Sequence, residues 1–187
     1  MSHNDHTSVE PYTLYLALFT RNYRAPPDDP TMPNQLYQAL CPGDGEWHWS
    51  IIVTGDDLKS RPSHIIHANN DNANEDWEFL VEHRQLGDFR RLVLLYKIPF
   101  VESGQKFEDR FQHIKSAVNR ELNSEDFGYE PINCRLWLLN LLAILERENI
   151  IKLPLLLSEL EKDAAEKALK HQCEHGWGQN RYIVFRP

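Results

Sequence analysis

The hydrophobic period of this chain changes once, near Gln105, and that change restricts its architecture more than any other feature. Upstream, apolar and aromatic residues gather in short runs of strand length over 12–23, 47–54, 63–69, 77–84 and 91–99, with polar or Pro/Gly-rich breaks between them. Downstream, Phe107, Phe111, Ile114 and Val118 recur at three or four residues, the spacing of one face of a helix. A second helix is expected over about 131–148, apolar around most of its girth through Ile132, Leu136, Leu138, Leu139, Leu142 and Leu145. Pro154 separates it from a third, over about 155–171, and 181–186 reads as a last strand. Strands first and helices second predict an α+β fold. The expected form is a single domain over 11–187, with an antiparallel sheet of about five to six strands packed on a buried central helix, after a disordered tail at 1–10.

Composition narrows the function classes. A formal net charge of -8 disfavours nucleic acid, whose phosphates call for a basic face, and equally an anionic membrane surface. The longest apolar stretch, 136–145, is too short to span a bilayer. Three cysteines, Cys41, Cys134 and Cys173, make no disulfide framework, so a reducing, cytoplasmic setting is expected. No Gly-rich phosphate loop and no Gly-x-Ser-x-Gly occurs, so neither a nucleotide cofactor nor a serine nucleophile is indicated.

Two segments carry chemistry. Cys134 lies in Tyr129-Glu-Pro-Ile-Asn-Cys-Arg-Leu-Trp, where Pro131 prepares a helix start. A thiol in a first turn meets the positive end of the helix dipole and backbone N–H groups, which favour its thiolate and could serve as an oxyanion hole. Asn133 adds a side-chain donor or a cap. His48, in Glu46-Trp-His-Trp-Ser-Ile-Ile-Val, is a strand histidine and a candidate base. If the turn at 55–62 closes a hairpin, Thr54 faces Ser63 and paired positions sum to 117, since 54 + 63 = 117. His48 then faces Asn69, with His67 beside it on the same face, and either could orient the imidazole. Against this stand bland alternatives: Cys134 as a core residue, and His48 packed beneath Trp47 and Trp49.

Other clusters are weaker. His171-Gln-Cys173-Glu-His175 puts two histidines on one helix face, but a polar helix end before Gly176 is the plainer reading, and no metal is expected. His64 and His67 point to opposite faces of a strand. The polar run 69–76 has calcium-loop composition without its glycine or closing glutamate, and reads as a solvated turn. Trp47, Trp49 and Trp137 could line a substrate cleft.

The opening His48-Trp49-Ser50 on a strand, followed much later by Asn133-Cys134 at a helix start after Tyr129, resembles the permuted branch of NlpC-type papain-fold cysteine enzymes. That branch includes the PPPDE peptidases and the lecithin retinol acyltransferase-like proteins, and the segment is also similar to an uncharacterised family of small fungal proteins. The resemblance covers roughly residues 46–148. It implies a permuted papain-like core with Cys134 as nucleophile, His48 as general base and His67 or Asn69 orienting that base. The implied chemistry is hydrolysis or acyl transfer at an amide, ester or thioester of a small molecule or peptide. Two other readings remain open: a non-catalytic ligand- or protein-binding module, and a proton-transfer isomerase or cyclase that uses the histidines and tolerates Cys134→Ser.

Overall fold

In a computed structural model, residues 9–20, 47–55, 63–69, 78–86, 91–101, 106–122, 133–175 and 182–187 are described. The tail at 1–8, the Pro-rich segment 25–34, Cys41, most of the turn 55–62, the polar run 70–76, Pro131 and Gly176 lie outside them. The elements run β1 (Leu14–Thr20), β2 (Trp47–Val53), β3 (Ser63–Asn69), β4 (Glu78–Arg84), β5 (Leu92–Ile98), α1 (Phe107–Leu122), α2 (Cys134–Arg147), α3 (Leu157–His175) and β6 (Ile183–Phe185). The fold is α+β, with one six-stranded sheet in the order β4-β3-β2-β1-β5-β6.

Strand burial follows position in the sheet. β1 lies between β2 and β5, and Leu14, Tyr15, Leu16, Ala17 and Leu18 are all inaccessible to solvent. This is why its sequence is a continuous apolar run rather than an alternation. The sheet corrects one expectation. Five strands pair antiparallel, but β6 pairs parallel to β5 through Leu94/Ile183, Leu95/Val184 and Tyr96/Phe185, so the sheet is mixed. All three helices intervene between β5 and β6, and such a long crossover can return a strand in the parallel sense, which no tight hairpin can do.

One face of the sheet carries the helices. Leu16, Leu18, Trp47, Trp49, Ile51, Ile66 and Leu94 join residues of α1, α2 and α3 in the main core. α2 packs over β2 and β3 with α1 and α3 beside it. It buries Trp137, Leu138, Leu141, Leu142 and Leu145, while Asn140 and Ala143 are exposed. α2 begins at Cys134 with Asn133 as its cap, three residues later than Pro131 suggested, and α3 runs on to His175. Asn149, at φ 58, takes the left-handed conformation just past the end of α2. The opposite face has a smaller cluster of Tyr15, Ala17, Ile52, Ile65, Leu92, Leu95 and Val184, bordered by Val9, Phe19 and Tyr182.

The last residues before β1 are held by hydrogen bonds and ion pairs. The Glu10 N–H donates to Tyr15 Oη at 2.8 Å, and the Thr54 hydroxyl donates to the Glu10 carbonyl at 2.7 Å. The Glu10 carboxylate meets Lys97 and Arg186. Among the described residues, no helix is long and apolar enough to cross a membrane.

Candidate functional site

The register of β2 on β3 pairs Ser50 with His67, Ile51 with Ile66, Ile52 with Ile65 and Val53 with His64, each summing to 117. Ser50 and His67 therefore share a face, and His48, two residues from Ser50, shares it too. On that face His48 Nε2 and His67 Nδ1 are 2.7 Å apart, with the rings edge-to-face at 5.0 Å between centroids. This is the face opposite the helices. Phe19, the β1 partner of His48, flanks its ring at 6.2 Å.

The next strand extends the line. β3 pairs with β4 so that His67 faces Leu80 and Ile65 faces Glu82. Glu82 is thus diagonal to His67 on the same face, and its Oε1 lies 3.4 Å from His67 Nε2. The other carboxylate oxygen accepts from Arg84 Nε at 2.6 Å. Three adjacent strands contribute, in order, His48, His67 and the Glu82/Arg84 pair. Glu82 and Arg84 were not singled out from sequence. The same register arithmetic carried across the next turn would have found them, because Asn69 opposite Glu78 places Glu82 two residues from the partner of His67. Between the two rival orienting groups, the structure brings His67 to His48. Asn69 ends β3, and its side chain is not among those described.

Cys134 approaches β2 from the helix side. It is the first residue of α2 and only 1% exposed. Asn133 caps the helix: its Oδ1 accepts the Leu136 N–H at 2.9 Å, and its carbonyl accepts the Trp137 N–H at 3.0 Å. The Cys134 thiol donates to the Trp47 carbonyl at 3.9 Å. The direction of that carbonyl follows from the ladder. Thr20, the β1 partner of Trp47, donates its own N–H to Arg91 at 3.0 Å, away from β2. Thr20/Trp47 is thus a pair that exchanges no hydrogen bonds, and the Trp47 carbonyl points to the β3 side. The β2–β3 ladder ends at Ser50/His67, whereas β3 stays with β4 as far as Asn69/Glu78. The thiol thus takes a strand carbonyl past the end of the β2–β3 ladder, one peptide unit from His48.

The tryptophans require a correction. Trp47, Trp49 and Trp137 are at most 3% exposed and belong to the main core, so they line no open cleft. The alternation that sends His48 and Ser50 to one face sends Trp47 and Trp49 to the other, where α2 covers them.

The remaining histidines separate by environment. His64 lies on the helix face of β3, its ring 4.0 Å from that of Phe111 and 4.4 Å from that of His83. Burial, with the nearby His83 and Lys115 charges adding to it, lowers its pKa from 6.5 to about 4. His171 and His175 lie one turn apart on α3 with ring centroids 4.6 Å apart, and Cys173 between them is exposed. Comparison of the chain with protein-family models, with curated proteins and with solved structures gives no match.

Proposed function

We propose that the protein is a cysteine-dependent hydrolase or acyl transferase acting on an amide, ester or thioester of a small molecule or peptide, in a permuted papain-like arrangement. Cys134 is the nucleophile, His48 the base and His67 the residue that orients it. One observation carries this reading: the thiol at the head of α2 meets β2 one peptide unit from a histidine whose Nε2 is already held by a second histidine. His67 thereby turns Nδ1 of His48 into the working nitrogen.

The first step requires Nδ1 of His48, whose ring rests on the face opposite the helices, to reach Sγ past the end of the β2–β3 ladder. The Sγ–H proton then passes to Nδ1, and the sulfur lone pair forms an S–C bond at the carbonyl carbon. The displaced π pair collects on oxygen, opposite the N–H groups of the helix start. Because the Leu136 N–H is taken by Asn133, the donors for that role are the peptide N–H groups of Cys134 and Arg135. Asn133 serves by holding this helix end in place. Collapse expels the amine, alcohol or thiol with the proton from His48. Water or an amine then attacks the thioester, gives a proton to His48 and releases the acyl group while the thiol is restored. A free thiol at such a centre suits a reducing, cytoplasmic setting.

Iodoacetamide labelling across roughly pH 5 to 9, with the modified cysteine mapped by peptide mass, tests this in wild type and His48→Ala. Alkylation of Cys134 in the native protein at neutral pH and below, lost in the variant, is the expected result. Labelling confined to Cys173 and Cys41 until the protein unfolds would overturn it and favour a non-catalytic binding module, consistent with a thiol wholly within the core. A native protein whose activity survives Cys134→Ser but not His48→Ala would instead favour proton-transfer chemistry.

A further inference from the structure

We propose that Glu82 is a positioning residue for this centre: across three strands it sets the tautomers of both imidazoles, and Arg84 holds it in place. The inference rests on the reading of Cys134 and His48 above. The geometry is directional. His67 Nε2 lies 3.4 Å from the Glu82 carboxylate without completing a hydrogen bond to it, and the negative charge there favours hydrogen on that nitrogen, since a carboxylate can only accept. His67 Nδ1 is then the lone-pair nitrogen, and at 2.7 Å it accepts from His48 Nε2–H. His48 is left with its lone pair on Nδ1. Each ring offers one donor and one acceptor when neutral, so a single acceptor at the far end decides both. A residue on β4 therefore chooses which nitrogen of a histidine on β2 is basic.

The same line stabilises charge. When the thiol proton reaches His48 Nδ1, the positive charge stays on the His48 imidazolium, where the hydrogen bond to His67 and the field of the Glu82 carboxylate stabilise it. No atom beyond the proton moves, and no electron is transferred. At 3.4 Å the His67–Glu82 contact is an ion-pair distance in the resting state, with room to shorten as charge develops. The described charged or titratable groups beside the pair are His48 on β2, His67 on β3, and Glu82 and Arg84 on β4, while Tyr15, Lys97, Glu10, Arg186 and Tyr182 lie on the same face toward β5 and β6. Phe19 supplies the β1 side, and His64 and His83 lie on the other face. Glu82 is thus the only described carboxylate in the line. A surface Glu/Arg pair alone would contribute little and would leave the imidazoles unaffected.

Two readouts test this separately from the thiol assignment. Long-range 1H–15N correlation spectra of the imidazoles report the tautomers directly. In wild type, His67 is expected to carry its hydrogen on Nε2 and His48 on Nε2. In Glu82→Gln, whose amide can donate as well as accept, that preference is expected to break down into a mixture. The pH profile of iodoacetamide labelling at Cys134 is the second readout. Glu82→Gln should move it to higher pH by about one unit, an approximately tenfold slower reaction on the acid side, with Arg84→Ala producing a smaller shift of the same sign. Thermal unfolding of each variant shows that the fold is kept. Unchanged tautomers in Glu82→Gln would overturn the inference, as would a superimposable labelling profile in a protein whose labelling still depends on His48. Labelling that ignores His48 while the tautomers respond to Glu82 would refute the thiol centre and leave the role of Glu82 standing.

Discussion

β3 carries two histidines three residues apart that end in opposite environments. His64 lies against Phe111 on the helix face, with the cations His83 and Lys115 nearby, and burial holds its pKa down to about 4. His67 lies on the other face between a second imidazole and a carboxylate. Both are strand histidines with a histidine neighbour across the ladder. Only one, His67, faces a carboxylate. A histidine pair becomes a candidate catalytic relay through the acceptor at its end, and without one it is packing material that resists protonation.

That contrast can be broken by experiment. The largest effect is expected from His48→Ala, which should slow native labelling of Cys134 near neutral pH by about a hundredfold and abolish any acyl-transfer activity, since both need the base. An equally large loss from His64→Ala, in a protein that remains folded, would contradict the division between the two faces. His67→Ala should come next. With the orienting partner gone, His48 remains but turns more freely, and a rate loss of about tenfold is expected in the same assay.

The other face sets the acid stability. The folded-state pKa of His64 is depressed, so above its unfolded value of 6.5 both states are neutral and nothing is lost. As pH falls from 6.5 toward about 4, the unfolded chain takes up a proton that the folded chain refuses, and stability declines. Below about 4 both states are protonated and the loss levels off. Its full size is about 2 kcal/mol once screening of this half-buried group is allowed for. Urea unfolding of wild type and His64→Phe through this window should show the acid limb reduced in the variant. His83→Ala should have the smallest effect. It removes a neighbouring cation but leaves burial, the leading cause, in place, so the acid limb should shrink by only a fraction. A full recovery in that variant would mean that charge, not burial, dominates at His64.

Much of this arrangement was legible in the residues. Strand alternation separates His64 from His67, and the 117 register that places His67 beside His48 needs only the turn at 55–62 and a period of two. The helix after Asn133 was legible from its apolar period, but its first residue was not: Pro131 suggested a start three residues earlier than the cap at Asn133. Alternation also implies that Trp47 and Trp49 share a face opposite His48. It cannot say which face the helices will cover, and for that reason a substrate-lining role was expected of residues that are core. The parallel direction of β6 was equally hidden, because three residues, Ile183–Phe185, pair as well in either sense.

The sequence by itself determined the local periods and the pairing of β2 with β3, because each depends on neighbours along the chain or across one turn. Tertiary structure decided which face of the sheet α2 covers, and where its first residue meets β2. It also brought a carboxylate from β4 to the end of a histidine pair. These are contacts between segments far apart in the chain, where burial of apolar area chooses the face and the sheet order chooses the neighbours.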